Sequence, residues 1–454
     1  MLPVVTPRLA TLVAACGLLV VFSPQPWWTL VGANVTLVVA TLIDWRRAPA
    51  VGRVKIVRAA PTVMTLGGRD TITWTVANPT GRRLHVALAD DLASGLGAPT
   101  RRARVLVPPR GRARGRVDLR PVRRGRFVLR HLTVRVRGPW GLAARQGTHD
   151  LSHVLTVYPP FRSRAETELR LQRAQLLQLG QRSVRTPGAG MEFDSLREYT
   201  VDDEVRRIDW AATARATLPI VRTYRAERNQ TVLLLVDCGR TMAALVGAAT
   251  AGTGRVLRSD TPNEDLAIPR LEHAMDAAQA LTRLATGLGD RVGMLAFADR
   301  VLVTVPPRTQ TDQLRRVTAG LADLDARLVE ADYRRAFGHA LHRFPRRALL
   351  VVLTELASEA ASQTLVPALP LLRRRHLVVV AAVRDPIVEG WRRESADTVE
   401  QTYRRAAAIR TLNHRTAVAR QLRESGAIVA DAVPGQLAAV VSDIYLETKA
   451  AGRL

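Results

Sequence analysis

Cysteine is almost missing from this sequence: Cys16 lies in an apolar run and Cys238 beside an expected strand end, so a disulfide framework is excluded and the soluble part fits a reducing compartment. Lysine is as scarce, with only Lys55 and Lys449, so the formal net charge of +27 is carried almost wholly by arginine. Several catalytic signatures are also absent. The chain has no Gly-Lys-Ser/Thr phosphate loop, no nucleophile elbow, no His-Glu-x-x-His and no Cys/His zinc spacing, and its nine histidines are scattered. These absences point away from a nucleotide hydrolase, a serine hydrolase and a zinc enzyme. The positive charge favours anionic partners such as lipid headgroups, acidic proteins or nucleic acid. With neither a recognition-helix motif nor aromatics interleaved with the arginines, nucleic acid is not expected.

What is present begins with a membrane signal. Leu9 to Phe22 and Trp27 to Ile43 are two uncharged apolar runs separated by Ser-Pro-Gln-Pro and flanked by Arg8 and by Arg46-Arg47. Each approaches the roughly 17–25 residues of a spanning helix, so residues 1–50 read as a transmembrane hairpin. Arginines at both outer ends, none in the turn, and Trp27, Trp28 and Trp45 at the interfaces put both termini and the bulk of the chain on the cytoplasmic side of the plasma membrane. A cleaved signal peptide would want a more basic start and a small-residue cleavage site. A lipoprotein box at Val13-Ala14-Ala15-Cys16 would leave only about five apolar residues after Arg8, below a signal core.

From 51 to 160 the pattern turns to short alternating runs punctuated by Gly and Pro, among them Thr71 to Asn78, Arg102 to Val107, Arg126 to Val136 and His153 to Pro160. This predicts an antiparallel β-sandwich of immunoglobulin-like type. Fourteen arginines and a single acid, Asp118, lie between Arg101 and Arg137. Alternation puts many of them on the solvent face, either merely solvated or attached to an anionic leaflet.

Residues 161–228 form a connector, with a helical stretch at Arg162 to Leu179, followed by a stretch dense in carboxylates and arginines, Glu192 to Ala216. Residues 229–454 then alternate continuous apolar runs (Thr231 to Asp237, Arg291 to Phe297, Ala348 to Thr354, Leu377 to Val383, and more weakly Ala427 to Ala430) with helical segments at Leu271 to Thr286, Thr311 to Leu324 and Asp332 to Phe344. That is an α/β domain with a mostly parallel sheet covered on both faces, and Val301 to Val305 suggests a hairpin at one edge. Ligands of such sheets sit outside the carboxyl ends of the strands, which singles out Asp237, Thr354, Glu355 and Asp385.

Two resemblances follow from these residues. Val236-Asp237-Cys238-Gly239-Arg240-Thr241-Met242 with Gly289 to Phe297 resembles the von Willebrand factor A fold. Gly190, Glu192-Phe193, Arg197-Glu198-Tyr199, Asp202-Asp203, Arg206 or Arg207 with Ile208-Asp209-Trp210, and Ala214-Arg215 resemble the signature of the bacterial family called domain of unknown function fifty-eight. The likeness extends to the hairpin and to Gly138-Pro139-Trp140-Gly141-Leu142, where Gly138 stands in place of the family's usual aspartate. The resemblance implies a membrane-anchored protein associated with MoxR-type AAA+ ATPases and other von Willebrand A proteins, with no established catalysis.

The metal motif of that fold is degenerate here: Asp237, Gly239 and Thr241 replace Asp, Ser and Ser, and Glu355 replaces the final aspartate, with Glu330 or Asp332 as substitute ligands. Two carboxylates and a hydroxyl could hold Mg with several waters; the competing reading has Asp237 accepting backbone N–H bonds at the following helix. In the signature, Arg197, Arg206 and Arg215 are expected to pair with Glu198, Asp202, Asp203 and Asp209 while Tyr199 and Trp210 bury their rings, as a lock onto the α/β domain or a docking surface. The functional expectation is a non-enzymatic membrane-anchored scaffold or adaptor with no cofactor, engaging a MoxR-type ATPase in complex assembly or maturation. The alternative is a divalent-metal-dependent enzyme or protein-binding domain at the strand edge.

Overall fold

The computed structural model describes residues 3–183, 192–200, 205, 208–216, 218–225, 230–246, 268–310, 312–357 and 361–453. It divides into two compact units, Met1–Pro160 and Phe161–Leu454.

The first unit opens with a short strand β1 (Pro3–Val5) and two apolar helices, α1 (Pro7–Val21) and α2 (Pro26–Arg47), which pack on each other. Proline stands at the start of each helix, where its missing N–H costs nothing. With 15 residues, α1 is about 22 Å long, whereas the 22 residues of α2 reach about 33 Å. Only α2 is long and apolar enough to cross a membrane among the described residues. The first run falls short because the helix stops before Phe22 and the prolines that follow.

Eight strands follow: β2 (Lys55–Ala59), β3 (Val63–Thr65), β4 (Asp70–Ala77), β5 (Leu84–Asp90), β6 (Arg102–Val107), β7 (Arg112–Leu119), β8 (Gly125–Arg137) and β9 (Ala143–Tyr158). They form one sheet ordered β1-β9-β8-β5-β6, with β3 alongside β9, and a second ordered β2-β4-β7. Alternate residues such as Ile72, Trp74 and Val76 from one sheet and Val86, Leu88 and Val134 from the other enclose a common core. A polar tie crosses it: Asp90 of β5 accepts from Trp74 Nε1 at 2.7 Å and pairs with Arg58 at 2.5 Å, both from the smaller sheet.

Both ends of the helix pair return to one turn of this unit. Thr6, before α1, donates its hydroxyl to the carbonyl of Gly141 (2.5 Å) and its N–H to that of Leu142 (3.3 Å). Asp44, near the end of α2 and fully buried, accepts from the N–H groups of Trp140 (2.8 Å), Leu142 (2.8 Å) and Ala143 (2.9 Å). A Cβ on Gly138 would fall 2.4 Å from the Asp44 carboxylate, so only glycine fits there.

In the second unit, α3 (Arg164–Ser183) sends Leu171 into the α/β core. The hairpin β10 (Glu192–Glu198) and β11 (Ile220–Arg225) encloses α4 (Trp210–Ala216). The main sheet begins with β12 (Thr231–Asp237), and a minor pairing joins β13 (Leu245–Val246) to β14 (Ile268–Pro269). Then come α5 (Arg270–Gly287), β15 (Arg291–Phe297), β16 (Val301–Arg308), α6 (Gln313–Ala322), α7 (Tyr333–Arg343), β17 (Leu349–Leu353), α8 (Val366–Arg373) and β18 (Leu377–Val383). The chain continues through α9 (Pro386–Arg393), α10 (Val399–Glu424), β19 (Ile428–Ala432) and α11 (Leu437–Ala450). The sheet runs β16-β15-β12-β17-β18-β19, parallel except for the edge strand β16. Val232, Leu234 and Val236 face α5, α6 and α11, while Leu233 and Leu235 face α7, α8 and α10. Burial on both faces is why these strands are continuous apolar runs.

Candidate functional site

The strand order reverses at β12, which lies between β15 and β17. Such a switch point makes its carboxyl end, with Asp237, Thr354 and Glu355, the natural ligand position of an open α/β sheet. Here that position is filled from within.

Asp237 is fully buried. Its Oδ1 accepts from Gly239 N–H at 2.7 Å, and its Oδ2 lies 2.7 Å from Thr354 Oγ1 and 2.8 Å from Tyr333 Oη, which are themselves 2.7 Å apart. This triangle has three edges but only two hydroxyl protons while Asp237 is ionised. A proton on Asp237 fills the third edge. Burial pushes the Asp237 pKa upward, against the lowering effect of the bonds from Thr354, Gly239 and Tyr333. Burial and the neighbouring Asp237 likewise hold the Tyr333 phenol well above its ordinary range.

Glu355 is equally committed. Its Oε1 accepts from Ala357 N–H at 2.8 Å and from Arg415 Nη1, and its Oε2 lies 2.7 Å from Arg270 Nε. Arg415, buried on α10, bridges on to Asp431 of β19 at 2.6 Å. Burial works against its charged form, but Glu355 and Asp431 more than compensate, and its pKa is raised. Two guanidinium groups therefore stand where a cation would share Glu355.

The proposed metal set does not fit a divalent cation. Thr241 lies half-buried on the turn Arg240–Ala243, and among the described residues its hydroxyl touches neither Asp237 nor Glu355. Glu330 is exposed and pairs with Arg240, while Asp332 caps α7 by accepting from Arg335 N–H at 2.9 Å. Asp385 caps α9 in the same way through Ile387 N–H at 2.9 Å. Among the described residues no group of three or more His, Cys, Asp or Glu side chains is arranged to hold a metal ion. A hard cation needs several free oxygen donors, and those of Asp237 and Glu355 already have partners.

The signature residues gather elsewhere, around the β10–β11 hairpin. Arg197 is opposite Val221 and Glu198 opposite Ile220, and Tyr199 N–H bonds the Pro219 carbonyl at 2.9 Å. Asp209 caps α4, accepting from Ala211 (3.1 Å) and Ala212 (3.2 Å) N–H groups. Arg215 turns its Nε to the Ala211 carbonyl, and Arg197 its Nη1 to the Glu198 carbonyl, both at 3.1 Å. Trp210 is 68% exposed, contrary to the expected buried ring, because α4 is short and buries only Ala212. Asp202, Asp203 and Arg206 lie outside the described residues.

Reading from sequence passed over Tyr333, Arg270, Arg415 and Asp431, and also the α9–α10 pair. These two helices are set by local signals: Pro386 after the Asp385 cap, and a capping box between Thr398 and Gln401. No residue of α9 is buried, and α10 has buried residues only from Ala408 onward. Trp391, Val399 and Tyr403 are exposed on this arm, with Arg404 5.6 Å from the Trp391 ring centre.

The chain is thus a multidomain protein in which a unit with an apolar N-terminal helix and two β-sheets precedes an α/β unit with a closed polar centre. Residues 195–252 and 261–390 match the profile of the family described as protein of unknown function DUF58. It is 37% identical over 123 residues to the uncharacterized proteins Mb1516 of Mycobacterium bovis and Rv1480 of Mycobacterium tuberculosis, a match covering 27% of this chain and 33% of each relative. The match therefore spans about a third of those relatives' length. Among solved structures, the conserved hypothetical protein BatB from Bacteroides thetaiotaomicron aligns with a TM-score of 0.31 at 14% identity, over 50% of this chain and 99% of that one. An uncharacterized membrane spanning protein from Vibrio fischeri aligns with a TM-score of 0.20 at 15% identity, over 49% and 98%.

Proposed function

We propose that the chain is a membrane-anchored, non-enzymatic scaffold whose α/β unit engages a MoxR-type AAA+ ATPase during assembly or maturation of a protein complex. The observation that carries this reading is the closed centre at the switch point. Where an α/β enzyme would expose reactive groups, Asp237 and Glu355 are bound by Tyr333, Thr354, Arg270 and Arg415. A unit built this way acts through its surface, and the α9–α10 arm, with Trp391, Val399 and Tyr403 exposed, is the surface assigned to the partner.

The anchoring reading takes α1 and α2 as a membrane hairpin with both ends cytoplasmic. Its support is the mooring of Thr6 and Asp44 on the same turn, residues 140–143, since two ends held by one turn share one side of a bilayer. Arg46 and Arg47 close the last turn of α2 in keeping with a cytoplasmic flank. The finer fold reading goes with it: an immunoglobulin-like sandwich for the β-unit and a von Willebrand A-like fold for the α/β unit, its metal motif converted to an internal polar lock.

Affinity capture of the tagged full chain from detergent-solubilised membranes tests the partner. The ATPase is expected to co-purify with the wild-type chain and to be lost on the double change Val399→Asp and Tyr403→Ala. Equal recovery with that variant would remove the arm. A calorimetric heat with magnesium or manganese that disappears in Asp237→Ala would instead support the metal-dependent alternative.

A further inference from the structure

At the C-terminal end of α2, a cavity of about 420 Å³ opens between that helix and the β-unit. Arg46, Arg47, Arg53, Arg82, Arg83 and Arg137 line it, and no carboxylate does. None of these six forms an ion pair with an acid among the described residues. Guanidinium groups that line one cavity repel one another, and a bound anion would relieve that repulsion.

The frame around them is rigid, and its rigidity does not use the charges. Buried Asn78 donates to the carbonyls of Arg82 (2.7 Å) and Pro108 (2.9 Å) and accepts from Thr80 N–H (2.9 Å). The loop carrying Arg82 and Arg83 is therefore fixed through its backbone, leaving both side chains exposed. A seventh arginine, Arg145, is held in place by donating to the carbonyls of Trp45 (3.0 Å) and Arg46 (3.4 Å), and its guanidinium lies 5.0 Å from the Trp45 ring centre. On the far side Arg47 lies 5.3 Å from the ring centre of Trp140, which is itself exposed. Forked guanidinium donors suit the oxygens of a phosphate, and the indole rings suit the boundary between headgroup and acyl chain.

We propose that this cavity binds the phosphate of an anionic phospholipid headgroup. The proposal rests on the membrane reading above, because the apolar helix ending at the cavity is what presents the headgroup to it. It differs from a diffuse attraction by the exposed arginines of β6 and β7, since these groups line one cavity.

The test uses the full chain, delipidated in a neutral maltoside detergent, with lipid adducts counted by native mass spectrometry. Phosphatidylglycerol is expected to give one saturable adduct and phosphatidylcholine none at the same concentration. The double change Arg82→Ala and Arg83→Ala is expected to weaken the adduct by about tenfold or more, while Arg112→Ala with Arg114→Ala, removing the same charge from β7, leaves it unchanged. If the first pair fails to fold by circular dichroism, Arg53→Ala replaces it with the same expected direction. Equal adducts with phosphatidylcholine, or equal weakening by the β7 pair, would overturn the proposal. Saturation by micromolar inorganic phosphate would assign the cavity to free phosphate and overturn the lipid assignment. Carbonate extraction of wild-type membranes reads anchoring separately: release of the chain would refute the hairpin, whereas retention without preference for phosphatidylglycerol would refute only this site.

Discussion

Replacing Asp44 by alanine removes the only acceptor described for three backbone N–H groups, those of Trp140, Leu142 and Ala143. Two of these bonds are buried, and hydrogen bonds to a charged group contribute about 1.5–3 kcal/mol each. Water can reach the half-buried Trp140 N–H, so the local cost comes to about 3 kcal/mol or more. That corresponds to about a 100-fold loss of protection for the amides of Leu142 and Ala143 in hydrogen exchange, read by mass spectrometry on peptides from the turn. This local measurement avoids assuming that a two-unit chain unfolds in one step.

The same geometry predicts a non-additive pair. Gly138→Asp alone drives a side chain into the Asp44 carboxylate, 2.4 Å from its Cβ, and adds like charge, so the turn should again lose protection. With Asp44→Ala in the same chain, the new carboxylate enters the vacated space and meets the same N–H groups, and protection should recover by about tenfold over either single variant. The resemblance to a family with aspartate at this position makes the swap a test of whether Asp44 supplies that carboxylate from a distant helix. Protection of Leu142 and Ala143 within about threefold of wild type in Asp44→Ala, or strictly additive losses in the pair, would refute the reasoning.

Three further outcomes follow from the α/β unit. His273, buried at the start of α5, has its pKa lowered to about 4 by burial and then by Arg162, with Arg270 adding to it and the Val246 carbonyl opposing; the unfolded chain therefore takes up the proton first, so this stability is complete above about pH 6.5 and is lost as pH falls towards 4. The loss amounts to about 3 kcal/mol, and urea denaturation should show it as a pH-dependent difference between wild type and His273→Leu; parallel profiles would contradict it, whatever Asp276 and Asp290 contribute to both. Asp237→Asn should cost under about 1.5 kcal/mol and Asp237→Ala about 3, because a neutral amide replaces a carboxyl that burial favours as the acid. Its raised pKa makes the wild-type contribution one that is lost as pH rises from the ordinary carboxylate range through the folded value, so the Asn variant should flatten the urea profile over that rise. Glu355→Gln leaves Arg415 and Arg270 without their shared carboxylate and should destabilise by about 3–5 kcal/mol, measured in the same way; a change under about 1 kcal/mol would show the pairs to be solvated.

The central strands of the α/β unit were legible because burial on both faces requires unbroken apolar runs, and Thr231–Asp237, Arg291–Phe297 and Leu377–Val383 carry them. The α9–α10 arm was not, since α9 is only 8 residues long and buries none of them, and α10 has no clear apolar stripe to read. The polar centre was legible only in half. Spacing after β12 marks Asp237 and Thr241, but the groups that decide its chemistry arrive from Tyr333, Arg270 and Arg415, tens of residues or more away, and no local pattern announces them. Asp44 shows the same limit: the reading from sequence passed over this lone acid of an apolar helix, because its partners lie almost a hundred positions on.

Scarcity of acid gives these buried carboxylates a consequence beyond local packing. The first unit contains six carboxylates, Asp44, Asp70, Asp90, Asp91, Asp118 and Asp150, and no glutamate. Asp44 and Asp90 are buried, one bound by backbone N–H groups and the other by Trp74 and Arg58. Among the described residues Asp44 forms no ion pair with an arginine, because its partners are amides, so it occupies no guanidinium of the adjoining cavity lined by Arg46, Arg47 and Arg137. The acid near the C-terminal end of α2 thus fixes the helix to the β-unit without taking up the guanidinium donors of those arginines. A carboxylate exposed at the same place would pair with those arginines and close the cavity to an anion.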